Sequence, residues 1–316
     1  MAACFFERFR AEVARYAEGV HRLGPPAASA ALVGVPAELA DFLRSFDGAE
    51  LFVDAFVIHP AAGLCRDEDR WIFGETATGD ALCIGPGGAV LRVEADSGET
   101  LVEGTSFARW IEALCVAEAV LHDREGEFKE GVFDETGEEL APAASERRER
   151  LVLKLDPDAP APTWRLARAV EQRGRASEAR VLLERLVAGR GAFGWAWFDL
   201  ARLRLADGDA PGAEAAYASA ADADPSYEHA GYFVAHAARV ARMRGDEATR
   251  VRHAARAREL DPEVVTSQKR AGEALLEEGA LDEALVHLEL AAALAPRDVA
   301  VLELLARARA GAATPG

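Results

Sequence analysis

The sequence predicts an α+β domain built on an antiparallel sheet, followed by an all-α solenoid of stacked helix pairs, within 316 residues. Three observations predict it. Gly174, Gly208, Gly245 and Gly279 recur at intervals of 34, 37 and 34 residues, with Ala179, Ala213 and Ala284, then Pro225, Pro262 and Pro296, at constant offsets. A period of this length marks helix–turn–helix units that bury their apolar faces only by stacking. Upstream, helical spacing gives way to short alternating aromatic and β-branched runs, the pattern of half-buried strands. Charge divides at the same place: residues 1–150 hold 14 Lys+Arg against 29 Asp+Glu, whereas residues 151–316 hold 22 against 25. A chain of this length accommodates two domains.

The elements follow in order. Phe6, Phe9, Val13, Tyr16 and Val20 stand at helical spacing and predict an amphipathic first helix ending near Gly19 and Gly24-Pro25-Pro26. Pro36 suits the first turn of a second helix carrying Leu39, Phe42, Leu43 and Phe46, which stops at Asp47-Gly48. Residues 51–58 alternate as one strand; residues 71–73, 81–84 and 89–93 are further strands, the last two joined by a Gly85–Gly88 hairpin turn. Ser106 caps a helix bearing Phe107, Trp110, Ile111, Leu114 and Cys115, and residues 127–133 suggest one more short strand.

The first-domain motifs, taken together, resemble the SUKH superfamily, which includes bacterial immunity proteins against polymorphic toxins and a fungal regulator of cell-wall synthesis. The residues that carry the resemblance are Val35-Pro36 before a helix ending Phe42-Leu43-Arg44-Ser45-Phe46-Asp47-Gly48, then Phe73-Gly74-Glu75, Gly79-Asp80, and Ser106-Phe107-Ala108-Arg109-Trp110-Ile111. It implies an α+β fold over residues 1–140 in which Pro36, Gly48, Gly74, Gly79, Asp80 and Trp110 are mainly structural. Gly79-Asp80 reads as a turn before a strand, with partner contact as the alternative.

Residues 141–162 form the boundary. The run Asp156-Pro157-Asp158-Ala159-Pro160-Ala161-Pro162 predicts an extended, semi-rigid spacer, and residues 151–155 a possible edge strand. Residues 163–310 then hold helix pairs at 163–188, 194–222, 228–259 and 264–293, with a capping helix from Val299. This half resembles the tetratricopeptide repeat, which implies a binding scaffold. The third copy departs: it follows a three-residue insertion, has Arg250 where the others have alanine, and Ala254 where they have Leu183, Tyr217 or Leu288. Its second helix is expected to pack least well.

Catalysis finds no constellation. The seven histidines show no close ligand pattern, so no metal is expected. Gly85–Gly88 lacks the Lys-Ser/Thr of a phosphate loop, and carboxylates such as Asp67-Glu68-Asp69 and Glu138-Glu139 lie in solvated polar runs. No enzyme activity and no cofactor are expected. The four cysteines, Cys4, Cys65, Cys83 and Cys115, are far apart and read as reduced thiols. No apolar run suits a signal peptide or a membrane span, so the expected location is cytoplasmic and no membrane insertion is expected. The net charge of −18 argues against nucleic acid, which is held through many Lys/Arg–phosphate contacts. It favours a basic partner, or serves solubility alone.

The repeat period proposes a concave face. It stacks Trp164, Phe198, Ala235 and Lys269 in one column, Arg168, Arg202, Arg239 and Glu273 in a second, and Trp195, Tyr232 and Thr266 in a third, with Arg242 beside Arg239. Arginine and aromatic residues dominate binding hot spots, so an acidic or aromatic peptide is the matching ligand. Three alternatives stand open. Trp195 and Phe198 could pack on the preceding repeat, the arginines could pair with Glu171 and its neighbours, or the groove could hold the chain's own acidic N-terminal domain or its linker. The function expected is protein binding without catalysis. The SUKH resemblance implies an immunity-type protein whose acidic domain occludes a basic toxin, while the repeats contact a further peptide or protein. The alternative is a scaffold or regulatory adaptor that recruits acidic client peptides through the repeats.

Overall fold

In a computed structural model, which describes residues 9–189 and 193–312, the chain divides between Leu182 and Leu183 into two units. Among the described residues, the first unit holds eight short strands: β1 (Arg22–Leu23), β2 (Ala49–Leu51), β3 (Phe56–Ile58), β4 (Cys65–Asp67), β5 (Arg70–Thr76), β6 (Ala81–Ile84), β7 (Val90–Val93) and β8 (Thr100–Gly104). They form one antiparallel sheet in the order β1-β2-β3-β5-β6-β7-β8, with β4 also paired to β5. Helices α1 (Ala37–Leu43) and α2 (Phe107–Leu121) contribute to the core of this unit. Leu39, Phe42 and Leu43 of α1 and Phe107, Trp110 and Ile111 of α2 are buried with Leu51, Ile58, Phe73 and Leu82 of the sheet. Phe73 meets Phe107 at 5.3 Å and Trp110 at 5.5 Å edge-on, the arrangement aromatic quadrupoles favour. Gly74 is where β3 and β5 come too close for a side chain: a Cβ there would lie 2.1 Å from the Val57 carbonyl oxygen.

Several expectations are corrected here. Residues 51–58 are not one strand. β2 and β3 are a hairpin with Leu51 opposite Phe56, and Phe52, Val53 and Asp54 take φ of 53°, 53° and 68° in the turn. The alternation reports burial on each side, but without Gly, Pro or Asn it gives no sign that the ladder reverses. Residues 127–133 form no strand, only the isolated bridges His122–Phe128 and Phe133–Leu140 at the edges of two turns. β1, β4 and β8 were not expected: β1 and β4 are only two and three residues long and each contains an arginine, and β8 ends in Glu103-Gly104. Residues 9–13 are helical, and Phe6 lies outside the described residues.

The spacer is also corrected. Residues 142–155 form helix α3 (Pro142–Leu155), and α4 (Pro160–Gln172) starts five residues later. Pro142, Pro160 and Pro162 all fall in first turns, where the missing N–H has no partner to lose. The proline cluster therefore marks helix starts. Val152 of α3 packs on Ala113 and Ala117 of α2, so residues 151–155 are no edge strand.

Helix α5 (Ala176–Ala188) completes the first pair. The second unit continues with α6 (Gly194–Ala206) and α7 (Ala210–Ala223), α8 (Ala230–Met243) and α9 (Glu247–Leu260), α10 (Val264–Glu278) and α11 (Leu281–Leu294), then α12 (Val299–Ala312). The glycine period has one physical cause: Gly174, Gly208, Gly245 and Gly279 have φ of 78°, 83°, 73° and 83° in the turn inside each pair. Only glycine takes that left-handed conformation without cost. The architecture is thus an antiparallel-sheet α+β region followed by a tetratricopeptide-like solenoid. The third copy's departure has a partner: buried Arg250 donates from Nη1 to the carbonyl oxygen of Ala293 at 2.6 Å and pairs with Glu247. A guanidinium there satisfies a last-turn carbonyl of α11 and complements its dipole, in place of the alanine contact of the other copies.

Candidate protein-binding surfaces

In the second unit the repeat period brings together an aromatic cluster with arginines near it. Trp195 and Phe198 stand one turn apart on α6, their rings 5.3 Å apart. Trp195 meets Phe233 of α8 at 5.0 Å, and its indole Nε1 donates to the Tyr227 hydroxyl at 3.0 Å. Phe198 stacks on Tyr232 at 5.7 Å and meets His236 at 5.0 Å and Tyr217 of α7 at 5.2 Å. Both rings therefore pack towards α8 of the following pair. Ala235 is fully buried and presents nothing to a ligand. Tyr227 enters through the three-residue insertion after α7, so the irregularity in the period is the segment that supplies the Trp195 partner.

The arginines differ among themselves. Arg239 of α8 donates from Nε to Glu289 of α11 at 2.8 Å, and Arg309 of α12 reaches the same carboxylate at 3.3 Å. Arg202 is exposed and lies 3.6 Å from Asp199, one turn earlier. Arg242 and Lys269 are half-buried, and Glu273 is exposed. In the first unit, Arg168 lies over the Trp164 ring at 5.2 Å, a cation–π contact.

Sequence reasoning missed His236. It is buried between Tyr217 and Tyr232, whose rings lie 4.9 and 4.7 Å away, and neither ring nitrogen makes a hydrogen bond among the described residues. Burial, then Arg239 and His287, lower its pKa to about 3, so it is neutral across the physiological range. Burial also pushes Tyr217 up to about 12. The helical spacing from Tyr232 was the available signal, but spacing alone cannot separate a core histidine from a surface one.

The first unit also contains a buried ion lattice that no sequence motif announced. Arg165 of α4 grips Glu103 of β8 with two bonds of 2.9 and 2.8 Å and donates to Glu149 of α3 at 3.0 Å. Arg148 of α3 bonds Glu118 of α2 at 2.8 Å and Glu149 at 2.5 Å. Asp156, fully buried after α3, accepts from the backbone N–H and the hydroxyl of Thr105, both at 2.6 Å. Burial raises the Glu103 carboxyl, but Arg165, Arg92 and Arg148 outweigh it and hold the pKa at about 2. On α3, Glu146 bonds Arg175, Arg150 and Arg173 and is likewise lowered to about 2, the Arg175 bond leading. Helices α3 and α4 are thereby fastened to α2 and to the sheet edge.

The six first-domain positions expected to be mainly structural sit where chain segments meet. Pro36 precedes α1, Gly48 leads into β2, and Trp110 is buried on α2. Gly79 has φ of 84°, and Asp80 accepts from the Thr78 hydroxyl at 3.1 Å and the Ala95 N–H at 3.2 Å. Among the described residues no group of three His, Cys, Asp or Glu side chains could hold a metal ion, and no helix is long and apolar enough to cross a membrane. Cys65, Cys83 and Cys115 are free thiols; Cys4 lies outside the described residues.

No protein-family model matches the chain, and no curated protein matches it. Among solved structures it is similar to YrrB, a tetratricopeptide-repeat protein with an unusual peptide-binding site, at 15% identity over 51% of this chain and 82% of that one, TM-score 0.35. MamA matches at 17% identity over 54% and 88%, TM-score 0.35. A tetratricopeptide repeat protein from Parabacteroides merdae matches at 15% identity over 54% and 67%, TM-score 0.37. At these scores the fold rests on the helix-pair geometry itself.

Proposed function

We propose that this chain binds proteins and performs no chemistry, and that residues 1–140 form a SUKH-type immunity domain that occludes a basic toxin. The observation that carries this reading is the charge partition: 29 acidic against 14 basic residues before position 151. A field of that sign accelerates encounter with a basic partner ~10–1000-fold at low salt. Steric and electrostatic occlusion needs no catalytic residue, and the resemblance at Pro36, Gly48, Gly74, Gly79, Asp80 and Trp110 supports the assignment. Residues 163–310 are proposed to contact a further peptide or protein, through Trp164 and Arg168 in the first unit and through Trp195, Phe198, Arg202, Tyr232, Arg239, Arg242 and Lys269 in the second.

Co-expression with a toxin encoded next to this chain tests the reading. Relief of killing supports it; killing unrelieved by any candidate toxin overturns it. A second reading, an adaptor that recruits acidic client peptides, is favoured by one observation: Arg202 is exposed beside the Trp195–Phe198 cluster, a pairing suited to carboxylates and rings. Under that reading the first domain docks elsewhere and no toxin is neutralised.

A further inference from the structure

The turn between β2 and β3 is built against ordinary preferences. Phe52, Val53 and Asp54 carry φ of 53°, 53° and 68° in succession, and a β-branched residue such as Val53 is a genuine outlier there. The surroundings hold them so. The Phe52 N–H donates to Nδ1 of His21 at 3.2 Å, and the Val53 N–H to the Val20 carbonyl at 3.0 Å. With Nδ1 accepting, the His21 proton sits on Nε2, which is buried and has no partner among the described residues. A strained turn and an orphaned donor are both retained, and what they produce is an exposed Val53 beside a buried Phe52.

Val53 does not stand alone. It closes over Gly126, where a Cβ would come within 3.1 Å of its side chain. Two residues on, Phe128 is 54% exposed and is the only exposed aromatic side chain among the described residues. Phe128 rests on His122 at 4.5 Å and on Phe133 at 4.8 Å, so its ring is seated from below and open above. Exposed apolar groups that are grouped and supported in this way mark interaction sites, whereas scattered ones do not.

The charge around the patch selects the partner. Residues 123–140 hold 8 acidic residues and 2 basic ones. Both cations are engaged locally: Lys129 donates to the Ala119 and Val120 carbonyls at the end of α2 at 2.6 and 3.4 Å, and Arg124 to the Arg15 carbonyl at 3.2 Å. Asp123 and Asp134 are used inside their turns, each accepting two backbone N–H groups. Glu125, Glu127, Glu130 and Asp54 remain exposed close in sequence to the two apolar side chains.

We propose that Val53 and Phe128, ringed by these carboxylates, are the docking surface for a basic protein partner that presents an apolar side chain flanked by Lys or Arg. This rests on the reading of the acidic first domain as the binder of a basic partner and names the surface used. Depletion of charge at the contact centre with a polar, solvent-accessible rim is the ordinary anatomy of such interfaces.

The test selects short random peptides displayed on phage against the immobilised full chain, then titrates the enriched peptides against variants. The proposal expects peptides that combine Lys or Arg with Leu, Phe or Trp, weakened at least ~10-fold by Val53→Ser with Phe128→Ser, the size expected when buried anchors are truncated. Glu127→Lys with Glu130→Lys, which leaves the apolar groups in place, weakens the same peptides and serves alone should the first variant fail to fold. Basic peptides that bind both variants as they bind the parent overturn this surface but leave the basic-partner reading standing. Enrichment of acidic or neutral peptides overturns both, and no enrichment overturns the surface.

Discussion

Glu103 shows how a single residue ties stability to pH. Its folded carboxyl titrates at about 2 against 4.5 for the free side chain. A depressed carboxylate contributes stability that is fully present above the unfolded value and is lost as pH falls from about 4.5 towards 2, on the order of 3 kcal/mol in total. Chemical denaturation of Glu103→Gln should therefore show a lower midpoint than the parent at pH 7 and a flatter dependence below pH 4.5. Equal acid sensitivity in the two chains would mean that the lattice around Arg165 contributes nothing through this group. His236 supplies the opposite kind of test. Its folded pKa of about 3 lies below the free value of 6.5, so the unfolded chain takes up a proton first and stability declines as pH falls from 6.5 towards 3. Removing two unpartnered buried nitrogens relieves a desolvation cost of about 1–3 kcal/mol, so His236→Leu should raise the melting temperature and flatten its pH dependence over that range. A lower melting temperature would show that the ring stacks on Tyr217 and Tyr232 outweigh the orphaned nitrogens.

At the level of elements, the turn glycine and the third copy's arginine are separable. Gly279→Ala places a Cβ at φ 83° and costs about 1–2 kcal/mol of solenoid stability by urea denaturation. Arg250→Ala removes the donor to the Ala293 carbonyl and leaves that group unpaired, a loss of about 1–3 kcal/mol. Were Arg250→Ala neutral, the third copy would tolerate the residue its siblings carry, and the bond would be incidental. For ligand contact, Arg202→Glu with Arg239→Glu should weaken an acidic peptide at least about tenfold in the full chain with helical circular dichroism unchanged. Arg239→Gln separates the contributions, because it breaks the 2.8 Å pair with Glu289 without placing two carboxylates together. If Arg239→Gln alone unfolds the helices, the arginine belongs to the packing of α8 on α11.

At the scale of the whole chain, acidity and periodicity were legible from residues alone, and for physical reasons. Net charge is a sum that needs no coordinates. The glycine period survives in sequence because a left-handed turn admits little else, and helix α12 from Val299 shows in its apolar stripe. Binding of a basic partner should weaken steadily as salt shortens the Debye length towards about 8 Å at physiological ionic strength; affinity independent of salt would remove charge as the attraction. What the sequence could not show were features made by distant segments meeting. The proline run read as an extended spacer because local rules cannot tell a helix's first turn from a break, and the answer lay in Glu103, Glu118 and Glu149 accepting from Arg148 and Arg165. Residues 51–58 read as one strand because alternation is blind to the reversal at Phe52–Asp54, which His21 and Val20 hold from elsewhere in the chain. The sequence by itself determined the fold class, the glycine turns inside the helix pairs and the sign of the field. Tertiary structure alone decided which apolar side chains stay exposed and which charges are engaged, because both depend on neighbours that only folding brings within bonding distance.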